Sequence, residues 1–135
     1  MCYCCIAQTT IQREGYTLIA TVEGNYDNDP NTLECSIKCG TYPTSDAYLD
    51  IPSVVVIGGT EYTVTSIPAG AFIGENKFIG DLLLPSSIAD IAEGAFQNCT
   101  GLTSLSLGSG VTTIGQYAFY QCGFTSVDLG SGVTS

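Results

Sequence analysis

An internal repeat constrains this chain more than any other property of its sequence. Ala71-Phe72, Ala95-Phe96 and Ala118-Phe119 recur at separations of 24 and 23 residues, and Ile67, Ile91 and Ile114 keep the same separations. Leu84-Pro85, Leu107-Gly108 and Leu129-Gly130 follow at 23 and 22, and Val64, Ile88, Val111 and Val133 at 24, 23 and 22. Four apolar markers in one register mean that one supersecondary unit is reused, each copy too small to bury its own apolar face. The unequal spacings arise at one place. From the repeat Phe to the first apolar residue of the next strand pattern there are seven residues for Phe72 to Ile79, six for Phe96 to Leu102 and five for Phe119 to Phe124. One loop per unit absorbs the length differences, as in a solenoid whose insertions fall at one surface corner.

The unit reads physically. Its strand is L-x-x-L-x-L, with Leu102, Leu105 and Leu107 in one copy, Phe124, Val127 and Leu129 in the next, and Ile79, Leu82 and Leu84 in an earlier, less regular one. The closing apolar pair at spacing two puts both side chains on one strand face and the residue between them on the other. A Pro or Gly turns the chain, and V-x-x-I forms a second short extended side. The following A-F predicts a compact helical or 3₁₀ turn with Phe driven inward, and Cys99 and Cys122 predict small buried positions. Stacking at about 4.8 Å joins these side chains into one core.

The segments SIPAGAF, DIAEGAFQNCTGLTSLSLGSGVTTIGQYAFYQC and GFTSVDLGSGVTS resemble the BspA-like (Treponema-type) leucine-rich repeat family. The chain departs from that pattern at Glu75, which stands where the family has Cys, and at Gly108 and Gly130, which replace Pro. The resemblance implies a mainly β leucine-rich repeat solenoid, and a surface or secreted protein engaged in adhesion and partner binding rather than catalysis.

Ahead of the repeats, residues 1–47 predict an irregular N-terminal antiparallel β cap, with strands at Tyr16 to Val22 and Leu33 to Cys39. Residues 48–135 are then the repeat region. It opens with a degenerate unit (Leu49, Ile51, Pro52) and a hairpin over 53–64 that turns at Gly58-Gly59. Repeats of about 64–84, 85–107 and 108–129 follow, with a partial one at 130–135. A cap is expected because a first unit would otherwise present an open strand edge. The last unit carries no such cover, which leaves three readings: the chain is a fragment of a longer protein, or Leu129 and Val133 make end-to-end contacts in a dimer, or they do so in a head-to-tail filament.

Thirteen acids against three bases (Arg13, Lys38, Lys77) give a formal charge of −10. Three scattered cations supply no basic patch, which excludes a nucleic-acid partner and disfavours anionic membranes. No apolar run reaches the roughly 18 residues of a membrane span, and MCYCCIAQ lacks the basic start of a complete secretory signal. There is no histidine, which removes Ser-His-Asp, Cys-His and His-metal chemistry. No phosphate-binding loop is present, and neither a cofactor nor a metal is expected. Asp27, Asp29 and Asn31 mimic the opening of a calcium loop, but Thr32 and Lys38 break it. Cys35 and Cys39 lie four apart, a weak zinc signal without His, and Cys2, Cys4 and Cys5 cluster at the N-terminus.

The remaining candidate is the outward side of the strand pattern. Asp50, Leu83, Ser106 and Asp128 lie between the last two core positions of successive units. Asp81, Ser104 and Ser126 lie one step back, with Thr103 and Thr125 beside them. Such a strip suits a protein or cell-surface ligand.

Overall fold

A computed structural model describes residues 7–22 and 33–135 of the protein. The cysteine cluster at 2, 4 and 5 and the acidic turn at Asp27, Asp29 and Asn31 lie outside the described residues. Among the described residues ten strands run in order: β1 (Ala7–Arg13), β2 (Tyr16–Val22), β3 (Glu34–Cys39), β4 (Val54–Ile57), β5 (Thr60–Ile67), β6 (Gly80–Leu83), β7 (Asp90–Ile91), β8 (Leu102–Ser106), β9 (Thr113–Ile114) and β10 (Ser126–Asp128). No helix occurs among the described residues.

The strands form two sheets. One has the order β1-β2-β3-β5-β7-β9, with β4 paired to β5; the other has the order β10-β8-β6. Pairing is antiparallel from β1 to β3 and between β4 and β5, then parallel through β3, β5, β7 and β9. The three-stranded sheet is parallel throughout. Strand β1 carries little sequence signal because AQTTIQR has no apolar face, and none of its side chains is fully buried. Its backbone instead pairs residue for residue with β2, from Ala7 opposite Val22 to Arg13 opposite Tyr16.

The repeat phenylalanines form the axis of the core. The rings of Phe72 and Phe96 stack at 5.1 Å, and those of Phe96 and Phe119 at 5.4 Å, both nearly parallel. Phe78 closes the column toward the N-terminus, edge-on to Phe72 and to Tyr16. Around it lie Leu82, Leu102 and Leu105 from one sheet and Val64, Ile67 and Ile91 from the other.

Two local expectations are corrected. The A-F segments are hydrogen-bonded turns, not helical or 3₁₀ turns. The residue before each Ala (Gly70, Gly94, Tyr117) is left-handed, with φ of 63°, 63° and 59°, which interrupts any right-handed coil. The amides are also engaged elsewhere: Phe72 N–H donates to Ala95 O at 2.7 Å and Phe96 N–H to Ala118 O at 2.8 Å, linking successive repeats. Second, Phe78 rather than Ile79 takes the first core position of its unit, fully buried while Ile79 is half-buried. Left-handed Gly80 and a register shift between Gly80 and Asp81 rotate the chain there.

Candidate binding surface

Parallel pairing puts the candidate strip in register. Asp81, Ser104 and Ser126 are aligned across β6, β8 and β10, and so are Leu83, Ser106 and Asp128. Leu82 and Leu105, between these columns, point into the core, so alternation turns the columns outward. Asp81, Thr103, Thr125, Ser126 and Asp128 are exposed, Ser104 and Ser106 half-buried. Leu83 stands 65 % exposed among them, an apolar side chain on a polar strip. Ser104 Oγ donates to Asp81 Oδ1 at 2.6 Å, and Thr125 donates to Thr103 O through both N–H and Oγ1. Asp128 Oδ1 accepts the Gly130 N–H at 2.9 Å and so braces the turn that follows.

Asp50 lies apart from the strands, in the segment leading toward β4. Its exposed carboxylate pairs with Arg13 (Nε to Oδ2, 3.5 Å), and Arg13 Nε also donates to Asp50 O at 3.3 Å. The segment is pinned from beneath. Tyr16 Oη donates to Tyr48 O and accepts the Asp50 N–H, both at 2.9 Å. Burial raises the Tyr16 pKa, keeping the hydroxyl protonated for this bridging. Arg13, Glu14, Gly15, Tyr16, Ser45, Asp46, Ala47, Tyr48 and Asp50 line an open pocket of about 430 Å³. Sequence reasoning finds only Asp50 of this group, because 37 residues separate it from its partner Arg13.

At the other end, Leu129 is 49 % exposed and Val133 is half-buried against the core. The four described cysteines are free thiols. Cys99 Sγ donates to Phe72 O at 3.0 Å and Cys122 Sγ to Phe96 O at 3.1 Å, each reaching one repeat back. Burial pushes Cys99 up to about 12 and Cys35 and Cys39 to about 11, and also raises Cys122. These are poor nucleophiles at neutral pH. No group of three or more His, Cys, Asp or Glu residues that could hold a metal occurs among the described residues. No helix among them is long and apolar enough to cross a membrane.

A sequence model of the BspA type leucine rich repeat region matches residues 61–135 in six copies. A solved structure of a leucine-rich repeat protein from Bacteroides ovatus ATCC 8483 is similar at 22 % identity, with a TM-score of 0.43, over 96 % of this chain and 35 % of that one. The chain thus spans about a third of that protein's length. No curated protein matches.

Proposed function

Because the chain belongs to the BspA-type leucine-rich repeat family, we propose that it is a non-enzymatic protein-binding module. In this reading residues 48–135 coil as a short solenoid behind an N-terminal β cap formed by residues 1–47. The family is generally a protein-interaction fold, and its members are typically surface or secreted proteins. An adhesion role outside the cell or at its surface follows as part of the proposal.

The observation that carries it is the outward strip, two in-register columns of Asp81-Ser104-Ser126 and Leu83-Ser106-Asp128 on an all-parallel sheet. Extended, repetitive faces are how stacked repeats engage partners. Acids at both ends and a formal charge of −10 steer a basic partner toward it. Leu83 then offers the apolar contact that a polar strip otherwise lacks.

The test compares two double variants of equal formal charge. Asp81→Lys and Asp128→Lys together should abolish capture of an immobilised lysine-rich peptide. Asp90→Lys and Glu93→Lys, exposed acids elsewhere, should leave most of it. Equal losses would show that only net charge matters and that the strip is the wrong surface.

A second reading, a structural subunit of a head-to-tail extracellular filament, is favoured by the exposure of Val127 (52 %) and Leu129 (49 %) at the last repeat. Mass in solution across a concentration series distinguishes it. A monomer at every concentration removes the filament, whereas fibres abolished by Leu129→Lys would establish it.

A further inference from the structure

We propose that the pocket beside Asp50 is a saccharide site that takes a neutral hexopyranose unit of a glycan. This goes beyond protein binding along the strip and uses different residues.

Three features point to this occupant. The first is size and order. At about 430 Å³ the pocket falls within the range of small-molecule sites, roughly 300–1,000 Å³. Its walls are fixed by the Tyr16 hydroxyl, which holds both Tyr48 O and the Asp50 N–H, and by Arg13 on Asp50. Little ordering is left for a ligand to impose.

The second is an aromatic platform. Tyr48 is 71 % exposed, yet its ring is seated: a Cβ added at Gly80 would lie 2.9 Å from Tyr48 Cε1 and 3.2 Å from Cδ1. The bare Gly80 backbone therefore supports the ring edge, and most of the ring remains open to solvent beside the pocket. An exposed π face of this kind accepts the C–H face of a pyranose ring.

The third is the mixture of polar groups. Arg13 supplies guanidinium donors, while Glu14, Asp46 and Asp50 supply carboxylate acceptors. Among the described residues neither Glu14 nor Asp46 has an ion-pair partner. Sugar hydroxyls donate and accept, so they satisfy both kinds of group at once. An ammonium or guanidinium guest would suit the carboxylates but meet Arg13 within the same walls. An anionic sugar would face three carboxylates against one cation. The neutral saccharide is the guest that leaves no group opposed.

The experiment is a glycan array carrying neutral hexose, N-acetylhexosamine and sialylated oligosaccharides, followed by titration of the neutral glycans that bind. Wild-type protein should bind neutral members. Tyr48→Ala should weaken binding about tenfold or more, Tyr48→Phe should retain it, and Asp46→Asn should weaken it without exposing core. Unchanged binding in Tyr48→Ala, binding of sialylated glycans alone, or displacement by octalysine would each overturn the assignment, as would an array with no neutral binder. The two surfaces separate cleanly. Asp81→Lys with Asp128→Lys should keep glycan binding, and Tyr48→Ala should keep lysine-peptide capture, so either proposal can fail alone.

Discussion

The middle repeat and the last one carry the same apolar pattern and have different fates. In the middle repeat Phe96, Cys99, Leu102 and Leu107 are fully buried and Leu105 is 4 % exposed. In the last repeat Phe119, Cys122 and Phe124 are only partly buried, Val127 is 52 % exposed and Leu129 49 %. Equivalent residues make equivalent side-chain bonds to the backbone of the preceding repeat, as when Cys122 Sγ donates to Phe96 O just as Cys99 Sγ donates to Phe72 O. What differs is the far side. Burial in this fold belongs to the interface between neighbours, not to the unit.

The contrast can be broken first at the phenylalanines. Phe96→Ala should cost about 3–5 kcal/mol, and Phe119→Ala about half of that because Phe119 stacks on one repeat phenylalanine instead of two and is only partly buried; urea denaturation midpoints would compare them. Equal losses would mean that the last repeat is as tightly packed as the middle one. Next come the strands. Leu105→Ala should cost about 2–5 kcal/mol, whereas Val127→Ala should stay within about 0.5 kcal/mol.

A smaller pair of changes should have opposite signs. Gly94 and Tyr117 share one left-handed position, with φ of 63° and 59°. Gly94→Ala should destabilise by about 1 kcal/mol, since its Cβ would also lie 3.1 Å from Gln97 Oε1. Tyr117→Gly relieves the same strain and should stabilise by about 0.5 kcal/mol after glycine's extra freedom in the unfolded chain, read as a slightly higher melting temperature. It also removes the edge contact with Tyr120 at 5.6 Å, so a fall in melting temperature would mean that this contact outweighs the strain.

A further effect appears only at alkaline pH. Burial raises Cys99 from the ordinary 9.0 to about 12, so the folded state keeps a proton that the unfolded chain releases. Stability is indifferent to this group below about pH 9 and falls as pH rises from there toward 12. Melting curves at neutral and alkaline pH should show this loss, and Cys99→Ala should flatten it more than Cys122→Ala, whose thiol is less buried.

Much of the repeat was legible because one-dimensional periodicity is the imprint of neighbour contacts. Leu82, Leu102, Leu105, Phe72, Phe96 and Cys99 all occupy the core that their spacing demands. Legibility failed where geometry is not periodic. Phe78 displaced Ile79 because a left-handed Gly80 rotates the chain, and nothing in the local apolar pattern announces a positive φ. The A-F turns escaped because whether an amide bonds within its own turn or across to the next repeat leaves no trace in hydrophobicity. Strand β1 was missed for want of an apolar face, and the parallel partnership of β3 with β5 because nothing in β3 itself names its neighbour. The pocket was invisible for a further reason. Tyr16, Arg13 and Tyr48 meet through a hydroxyl and a guanidinium, whose reach is set by the packed fold.

The amide-to-carbonyl links between successive turns, Phe72 to Ala95 and Phe96 to Ala118, carry an evolutionary corollary. Since each storey greets the next through main-chain groups that every residue but proline possesses, a duplicated coding segment could slot in with this part of its docking already written. Growth of such a gene by tandem copying then leaves only the side-chain contacts, such as the phenylalanine column, to be matched on either side.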